Sequence, residues 1–467
     1  MIIRRKDFMA GAISLIWLFV FSAVLLQVSG GNITESMYKV VSALTLISML
    51  TLLYGNCHTF LKLTSPYNII LILTYLYTCG QVWLVSIGIP LKKTSYLITY
   101  YNDNAVIISV IYTMLFICVM NLCAIAFVAV RYQYWGLKVK QIQDYNKKSA
   151  WEYTGLIFFV VFAVVLLIFD IQQILVARTT NSYAASYSVG RSNPLYYMAS
   201  YAYPLPIFMI LCTTKNKTLK RVIALYAVIR PLLMMLMVGS RAFYLPMLVA
   251  MFVYYLNTAT KQIKTSRILL IGLAGILLYS FVAATRNVAG GNVVEYMIDN
   301  NFFVDFLQEM GGTIVCTILL VLNCPTPLGF AYGKSYLGSL LMLIPGLGSL
   351  ADKYSSYINI ATILNNYFAK GSGLGGFYLS EFYYNFSLFG LLLMPLVAYF
   401  FVRISASCES VNSNTNPISA SVAYYIFSLS MIYIRAEAYE LFYGIKVLCL
   451  VLIVFYVLYQ ILRRKSA

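Results

Sequence analysis

Charged side chains are scarce in this sequence, and those that interrupt its apolar stretches mark where chemistry would sit. Arg241 stands in MVGSRAFYLP, Arg286 in AATRNVAG, and Arg435 in IRAEAYE beside Glu437 and Glu440. Asp170 precedes Arg178 by two helical turns, Arg230 directly precedes Pro231, and Arg191 falls in a segment rich in Tyr, Ser and Asn. Ionisable groups at the ends of apolar segments are costly to keep and are therefore candidate functional groups. A guanidinium presents a planar fork that grips two phosphate oxygens and never deprotonates, so convergent arginines suit a pyrophosphate. A carboxylate among them can take the proton of an attacking hydroxyl. The plainer reading is that each arginine only reaches up to lipid phosphate from a helix end. Several of them facing one long loop argue against that reading for the set.

Glycine placement adds a second signal. GSGLGGFYLSEFYYNFSLFG carries Gly371, Gly373, Gly375 and Gly376, followed by Glu381, Tyr384 and Asn385. Glycines permit close backbone approach and left-handed turns. This is not a nucleotide-binding loop: Lys370 precedes the glycines, no G-K-[ST] follows, and no strand leads in. His58 is the sole histidine, and its place at the end of an apolar run reads as structural. With it, a histidine-ligated metal site is not expected, and neither is a cofactor. Nine cysteines show no C-x-x-C pair; Cys316 and Cys324 share one loop, where a disulfide between them is a candidate.

The elements that must hold these residues are membrane helices. Hydrophobic residues make up 61% and charged residues 10% of the 467, with a mean hydropathy of +0.80. Soluble domains carry about 25% charged residues. Crossing a bilayer takes roughly 20 mostly apolar residues. Twelve such runs are expected, at about 9–28, 37–56, 68–89, 105–130, 153–175, 195–213, 221–239, 242–258, 268–284, 385–402, 416–434 and 438–461. The basic head and long apolar run at the start lack an A-x-A site and read as an uncleaved first span.

The net charge of +18 does not indicate nucleic acid, because the basic residues are not gathered in one aromatic-laced patch. Arg4, Arg5 and Lys6 precede span one; Arg131, Lys138, Lys140, Lys147 and Lys148 follow span four. Lys215, Lys217, Lys220 and Arg221 follow span six, Lys261, Lys264 and Arg267 follow span eight, and Arg463, Arg464 and Lys465 close the chain. With twelve spans all these groups share one side, which places both termini in the cytoplasm.

The chain then divides into 1–284 with nine spans, a long outer loop at 285–384, and 385–467 with three spans. Within the loop, EYMIDNNFFVDFLQEM sets Phe302, Phe303, Phe306, Leu307 and Met310 at helical spacing opposite Glu295, Asp299, Asp305 and Glu309. That pattern predicts a helix lying on the membrane surface. TIVCTILLVL and YLGSLLMLIPGLGSL are each short for a span and suit buried or re-entrant helices.

From about Arg230 onward the chain resembles the Wzy family of O-antigen polymerases. The family's glycine-plus-arginine turn is matched by Gly239, Ser240 and Arg241. Its Y-G-x-x-Y stretch and following I-P are matched by Tyr332, Gly333, Lys334, Ser335, Tyr336, then Ile344 and Pro345. Its E-x-x-x-N-F-x-x-x-G is matched by Glu381, Asn385, Phe386 and Gly390. The resemblance implies an all-α polytopic GT-C-like fold in the bacterial inner membrane, with the active site on the periplasmic face. It implies transfer of a growing glycan from undecaprenyl pyrophosphate to a new lipid-linked repeat unit. Arg241, Arg286, Arg435 and Arg191 would then hold pyrophosphate without a metal, and Tyr336 and Tyr384 would contact sugar. Glu381 is the expected base, with Glu437 orienting Arg435, because an adjacent arginine would lower the pKa of Glu437. Membrane lipid and a chain-length-regulator protein are the candidate partners.

Two other readings stay open. An O-antigen ligase shares the architecture, but the family's outer loop carries a functional histidine, which this chain lacks. A lipid-linked oligosaccharide flippase or other secondary transporter fits the number of spans, yet no internal repeat is visible and the hundred-residue loop suits one poorly.

Overall fold

Apolar runs of this length become helices because a helix satisfies every backbone amide and carbonyl internally, as a bilayer demands. The computed structural model describes residues 5–30, 35–59, 61–92, 97–134, 145–180, 185, 189, 193–239, 241, 244–259, 265–287, 301–344, 346–368, 375–409 and 417–466. Among them there is no strand. The first helices are α1 (Arg5–Ser29), α2 (Glu35–His58), α3 (Pro66–Ser86), α4 (Asp103–Tyr134), α5 (Tyr145–Thr180), α6 (Pro194–Ala202) and α7 (Pro204–Thr213). Next come α8 (Lys217–Val238), α9 (Tyr244–Thr258), α10 (Thr265–Asn287), α11 (Phe302–Gly311), α12 (Val315–Asn323) and α13 (Lys334–Leu341). The last are α14 (Gly348–Asp352), α15 (Ile360–Phe368), α16 (Tyr378–Phe386), α17 (Met394–Glu409), α18 (Pro417–Tyr433) and α19 (Ala438–Ser466).

All twelve expected spans are found as helices. Nine lie within helical stretches long and apolar enough to cross a membrane, and three, Tyr244–Thr258, Ser266–Val282 and Pro417–Tyr433, are shorter. A tenth long stretch, Phe302–Asn323, was not expected.

That stretch corrects one expectation and bears out another. The predicted surface helix is continuous with the run TIVCTILLVL, α11 and α12 being joined by a 3-10 turn at Gly312–Ile314, while that run is a buried helix as expected. Phe306, Leu307 and Met310 are buried; Glu295 and Asp299 lie outside the described residues. The reason lies in residues that read as polar or as breakers. A Cβ on Gly311 would land on the backbone nitrogen of Gln81, and one on Gly80 would land on the carbonyl oxygen of Leu307. Two glycines thus let α3 and this element meet backbone to backbone, as small residues do in membranes. Gln308 bonds both ways with Lys92, its Oε1 accepting from the amide at 2.8 Å and its Nε2 donating to the carbonyl at 3.1 Å. Gln81 donates to the Gln308 carbonyl at 2.8 Å and accepts from the Ile98 amide at 3.0 Å. The run YLGSLLMLIPGLGSL forms only α13 and α14, of 8 and 5 residues.

The chain forms two compact units, residues 1–138, 307–405 and 433–442, and residues 139–306, 406–432 and 443–467. In the first, α1 packs on α2 and α4. Asn56 donates to Asn68 and Asn121 at 2.8 and 2.9 Å, and Asn121 donates to Ser14 at 3.0 Å, so buried amides tie these helices where lipid gives no hydrophobic drive. In the second, α7 packs between α5 and α8, and Phe208 stacks on Tyr424 at 5.1 Å.

Candidate functional site

The first unit assembles the carboxylates. Glu381 and Asn385 are four residues apart on α16 and so share one face. Glu381 is 1% exposed. Its Oε1 accepts from the Ser335 hydroxyl at 2.7 Å and its Oε2 from the Ala438 amide at 2.7 Å. Asn385 Nδ2 donates to the same Ser335 oxygen at 2.7 Å and to the Glu381 carbonyl at 2.8 Å. The serine therefore receives from the amide and gives to the carboxylate, which fixes the orientation of all three. Ser335 opens α13, and Gly333 at φ 82° turns the chain into that helix. The Tyr336 ring lies parallel to Phe386 at 6.0 Å and tilted against Phe382 at 5.5 Å. The Y-G-x-x-Y and E-x-x-x-N-F stretches are thus two halves of one packed cluster. Gly390 completes it: a Cβ there would meet the Phe116 ring at 3.0 Å.

Glu437 lies in the turn between α18 and α19 and is 5% exposed. Its Oε1 accepts from the Ala361 amide at 2.8 Å, in the first turn of α15, where unpaired N–H groups favour an anion. A Cβ on Gly376 would stand 2.9 Å from that oxygen, and one on Gly375 would stand 3.8 Å from Arg435 Nε. The two glycines form a floor against which the Arg435–Glu437 turn rests. The Cys316 thiol anchors that floor by donating to the Gly375 carbonyl at 2.8 Å. Burial pushes the Glu437 carboxyl up to about 7, against the opposing pull of the Ala361 and Ile360 amides. Glu437 therefore rests on backbone amides at its Oε1 side, and burial makes it a stronger base than an exposed carboxylate.

Backbone strain gathers here. Tyr332, Asn359 and Ser387 are the non-glycine residues with positive φ among those described, at 48°, 64° and 51°. They stand at the ends of α13, α15 and α16, the helices that supply Ser335, the Ala361 amide and Glu381. Asparagine tolerates this conformation, and Asn359 Oδ1 also accepts from the Thr362 amide at 3.0 Å. Tyrosine and serine do not adopt it readily, and such outliers collect at functional sites.

Of the expected sugar contacts, Tyr384 is buried in a cluster with Val315, Leu319, Cys324, Ile360 and Tyr383. Tyr336 is packed between phenylalanine rings as described. The candidate disulfide is not formed: Cys316 and Cys324 are free thiols, the latter donating to the Gly329 carbonyl at 3.2 Å. His58 stacks edge-on with Tyr54 at 4.4 Å. No three His, Cys, Asp or Glu side chains converge among the described residues as a metal ion would require.

In the second unit, Gly239 ends α8 at φ 76° and Arg241 follows it, buried with its guanidinium 4.2 Å from the centre of the Tyr279 ring. Arg230 and Asp170, distant in sequence, form a buried pair: Nε meets Oδ2 at 2.7 Å and Nη2 meets Oδ1 at 2.9 Å. Tyr203 and Tyr244 lie under that guanidinium at 4.5 and 5.4 Å. Sequence reasoning singled out both residues without pairing them, because 60 residues of separation carry no periodic signal. Arg178 is exposed and donates to the Met237 sulfur at 3.4 Å. Arg286 falls in the last turn of α10; its side chain and Arg191 lie outside the described residues.

A family model described as O-antigen polysaccharide polymerase Wzy matches residues 11–464, nearly the whole chain. No curated protein and no solved structure matches.

Proposed function

Because the chain belongs to the O-antigen polysaccharide polymerase Wzy family, we infer that it joins lipid-linked repeat units at the Arg435–Glu437 turn. Membership makes it a multi-pass membrane polymerase of lipid-linked oligosaccharide, and nothing comparable supports the flippase or ligase readings. The observation that carries the site is the glycine floor beneath Arg435 and Glu437, with Glu437 buried, held by the Ala361 amide and pushed up to about 7.

The donor in this reading is a glycan on undecaprenyl pyrophosphate, and the acceptor is the non-reducing-end hydroxyl of a second lipid-linked repeat. The acceptor oxygen bonds to the anomeric carbon, and the bond from that carbon to the pyrophosphate oxygen breaks. Undecaprenyl pyrophosphate leaves with the electron pair, and the acceptor proton passes to Glu437, whose raised pKa suits a base near neutral pH. Arg435 stabilises the charge gathering on the leaving group, the task a metal performs elsewhere. The assignments of Arg241, Arg286 and Arg191 to pyrophosphate rest on residue type and place in the sequence.

Glu381 takes a positioning role here, the reverse of the order expected from sequence. Both its oxygens are engaged, and one of them holds the amide of Ala438, the residue that follows Glu437. The site faces the periplasm with both termini cytoplasmic. An even number of crossings is needed to keep the basic ends together, so Phe302–Asn323, the most buried of the ten long stretches, dips into the bundle without crossing.

The test is polymerisation by purified protein in liposomes, using lipid-linked single repeats from a polymerase-deleted strain, with a chelator present. A ladder of products is expected. A requirement for divalent metal, or equal use of a monophosphate-linked donor, would contradict the proposed chemistry.

A further inference from the structure

Tyr332 is 75% exposed, although it stands three residues before the serine that holds Glu381. The loop carrying it is pinned: the Ala331 amide donates to the Tyr384 carbonyl at 2.9 Å, and the Lys334 amide donates to the Ala331 carbonyl at 3.0 Å. Tyr332 itself is held at φ 48°, where asparagine or glycine would sit without strain. The fold thus keeps a bulky aromatic residue in a conformation unsuited to it and presents its ring outward. That ring is backed edge-on by Phe330 at 6.3 Å, and Phe330 in turn meets Tyr383 at 6.1 Å. Two residues along the chain, Lys334 places its ammonium 4.6 Å from the centre of the Tyr357 ring and donates to the Tyr357 hydroxyl at 3.3 Å.

We propose that Tyr332, Lys334 and Tyr357 form the subsite for the terminal pyranose of the acceptor repeat unit. A pyranose has an apolar C–H face that packs on an aromatic ring and a rim of hydroxyls that bond to an ammonium and a phenol. A lipid chain would match the Tyr332 ring but not the Lys334 ammonium and Tyr357 hydroxyl, which are costly against hydrocarbon. The covalent path links the subsite to the chemistry: Tyr357 stands four residues before Ala361, whose amide bonds Glu437. Tyr336 and Tyr384, the rings expected to meet sugar, are packed inward, and Tyr332 takes that place. The subsite rests on the reading of the Glu437 cluster as the reaction centre.

The test measures turnover of purified protein in liposomes against the concentration of lipid-linked single repeat from a polymerase-deleted strain. Tyr332→Asn tolerates the left-handed backbone and removes only the ring. Its KM should rise about tenfold, the value of one aromatic contact of about 1.4 kcal/mol, with kcat and melting temperature close to wild type. Tyr332→Phe should restore most of the affinity. An unchanged KM in Tyr332→Asn overturns the subsite, and if Glu437→Gln is inactive in the same assay the reaction centre still stands. Loss of membrane-inserted protein at unchanged KM would assign the ring to the bilayer interface and equally overturn the proposal. Full activity in Glu437→Gln is a separate outcome, and it removes the reaction centre whatever Tyr332 does.

Discussion

Gly311→Ala separates the packed element found here from the surface helix that its amphipathic pattern suggests, because the two predict opposite signs. On an exposed helix the change is favourable by about 1 kcal/mol, since glycine is the poorer helix former. Packed against α3, the new methyl meets only backbone: the Gln81 nitrogen, the Gly80 carbonyl carbon at 2.8 Å and the Gly80 Cα at 2.9 Å. No rotamer change relieves such contacts, so the elements must part by more than about half an ångström to reach an ordinary 3.4 Å. Overpacking of this kind costs about 1–3 kcal/mol, and the upper end applies where backbone meets backbone. The parting also stretches the 2.8 Å bond from Gln81 to the Gln308 carbonyl, for about another 1 kcal/mol. Set against the propensity gain, a net destabilisation of about 3 kcal/mol is expected. Thermal unfolding of purified protein in detergent reads it directly. A melting temperature equal to or above wild type would refute the packing of α11 on α3.

The buried pair in the second unit gives a further expectation: Asp170→Asn or Arg230→Met alone should cost about 3–5 kcal/mol by leaving a charge without its partner. Asp170→Leu with Arg230→Met should recover much of that, and polymer length should follow protein abundance in each case; equal damage in single and double variants would count against the pairing. The pH dependence of Glu437 has a definite sign. Its folded value, near 7, is raised from 4.5, so folding favours its protonated form; that stabilisation is whole below about 4.5 and is lost as pH rises to about 7. Melting temperature should fall across that window, and Glu437→Gln should reduce the fall by its own share; an unchanged slope in the variant would exclude the burial effect. Arg435→Lys keeps the charge but loses the fork, so it should shorten the polymer ladder sharply at normal protein levels. A normal ladder in Arg435→Lys would remove the pyrophosphate role, as would a normal ladder in Arg241→Ala for that residue.

The membrane class was legible because apolar runs of some 20 residues admit one solution in a bilayer. Arg435, Glu437 and Glu381 were legible as a group because charge is rare in such a chain. Their division of labour was not. Sequence adjacency placed Arg435 beside Glu437 and implied a lowered pKa, but adjacency does not reveal how deeply a carboxyl is buried. Burial and the Ala361 amide govern the carboxyl instead. The α3–α11 contact was hidden in Gly80, Gln81, Gln308 and Gly311, whose types suggest loop or surface. Only tertiary packing shows that the glycines admit a backbone and that the glutamines bond across the gap. The exposed Tyr332 and the packed Tyr336 are alike in type and differ in backbone conformation and packing, which composition does not encode.

The central claim is that the Arg435–Glu437 turn is the reaction centre and Glu437 its base. The most direct test compares Glu437→Gln and Glu381→Gln with wild type in liposomes supplied with lipid-linked repeats, alongside donor binding and melting temperature. Glu437→Gln should bind donor normally and melt no lower than wild type, yet turn over at least about a hundredfold more slowly. Glu381→Gln should lose melting temperature together with activity, because it loosens the Ser335 and Ala438 contacts. Wild-type turnover in Glu437→Gln would contradict the account, as would a pure turnover defect in Glu381→Gln at unchanged stability.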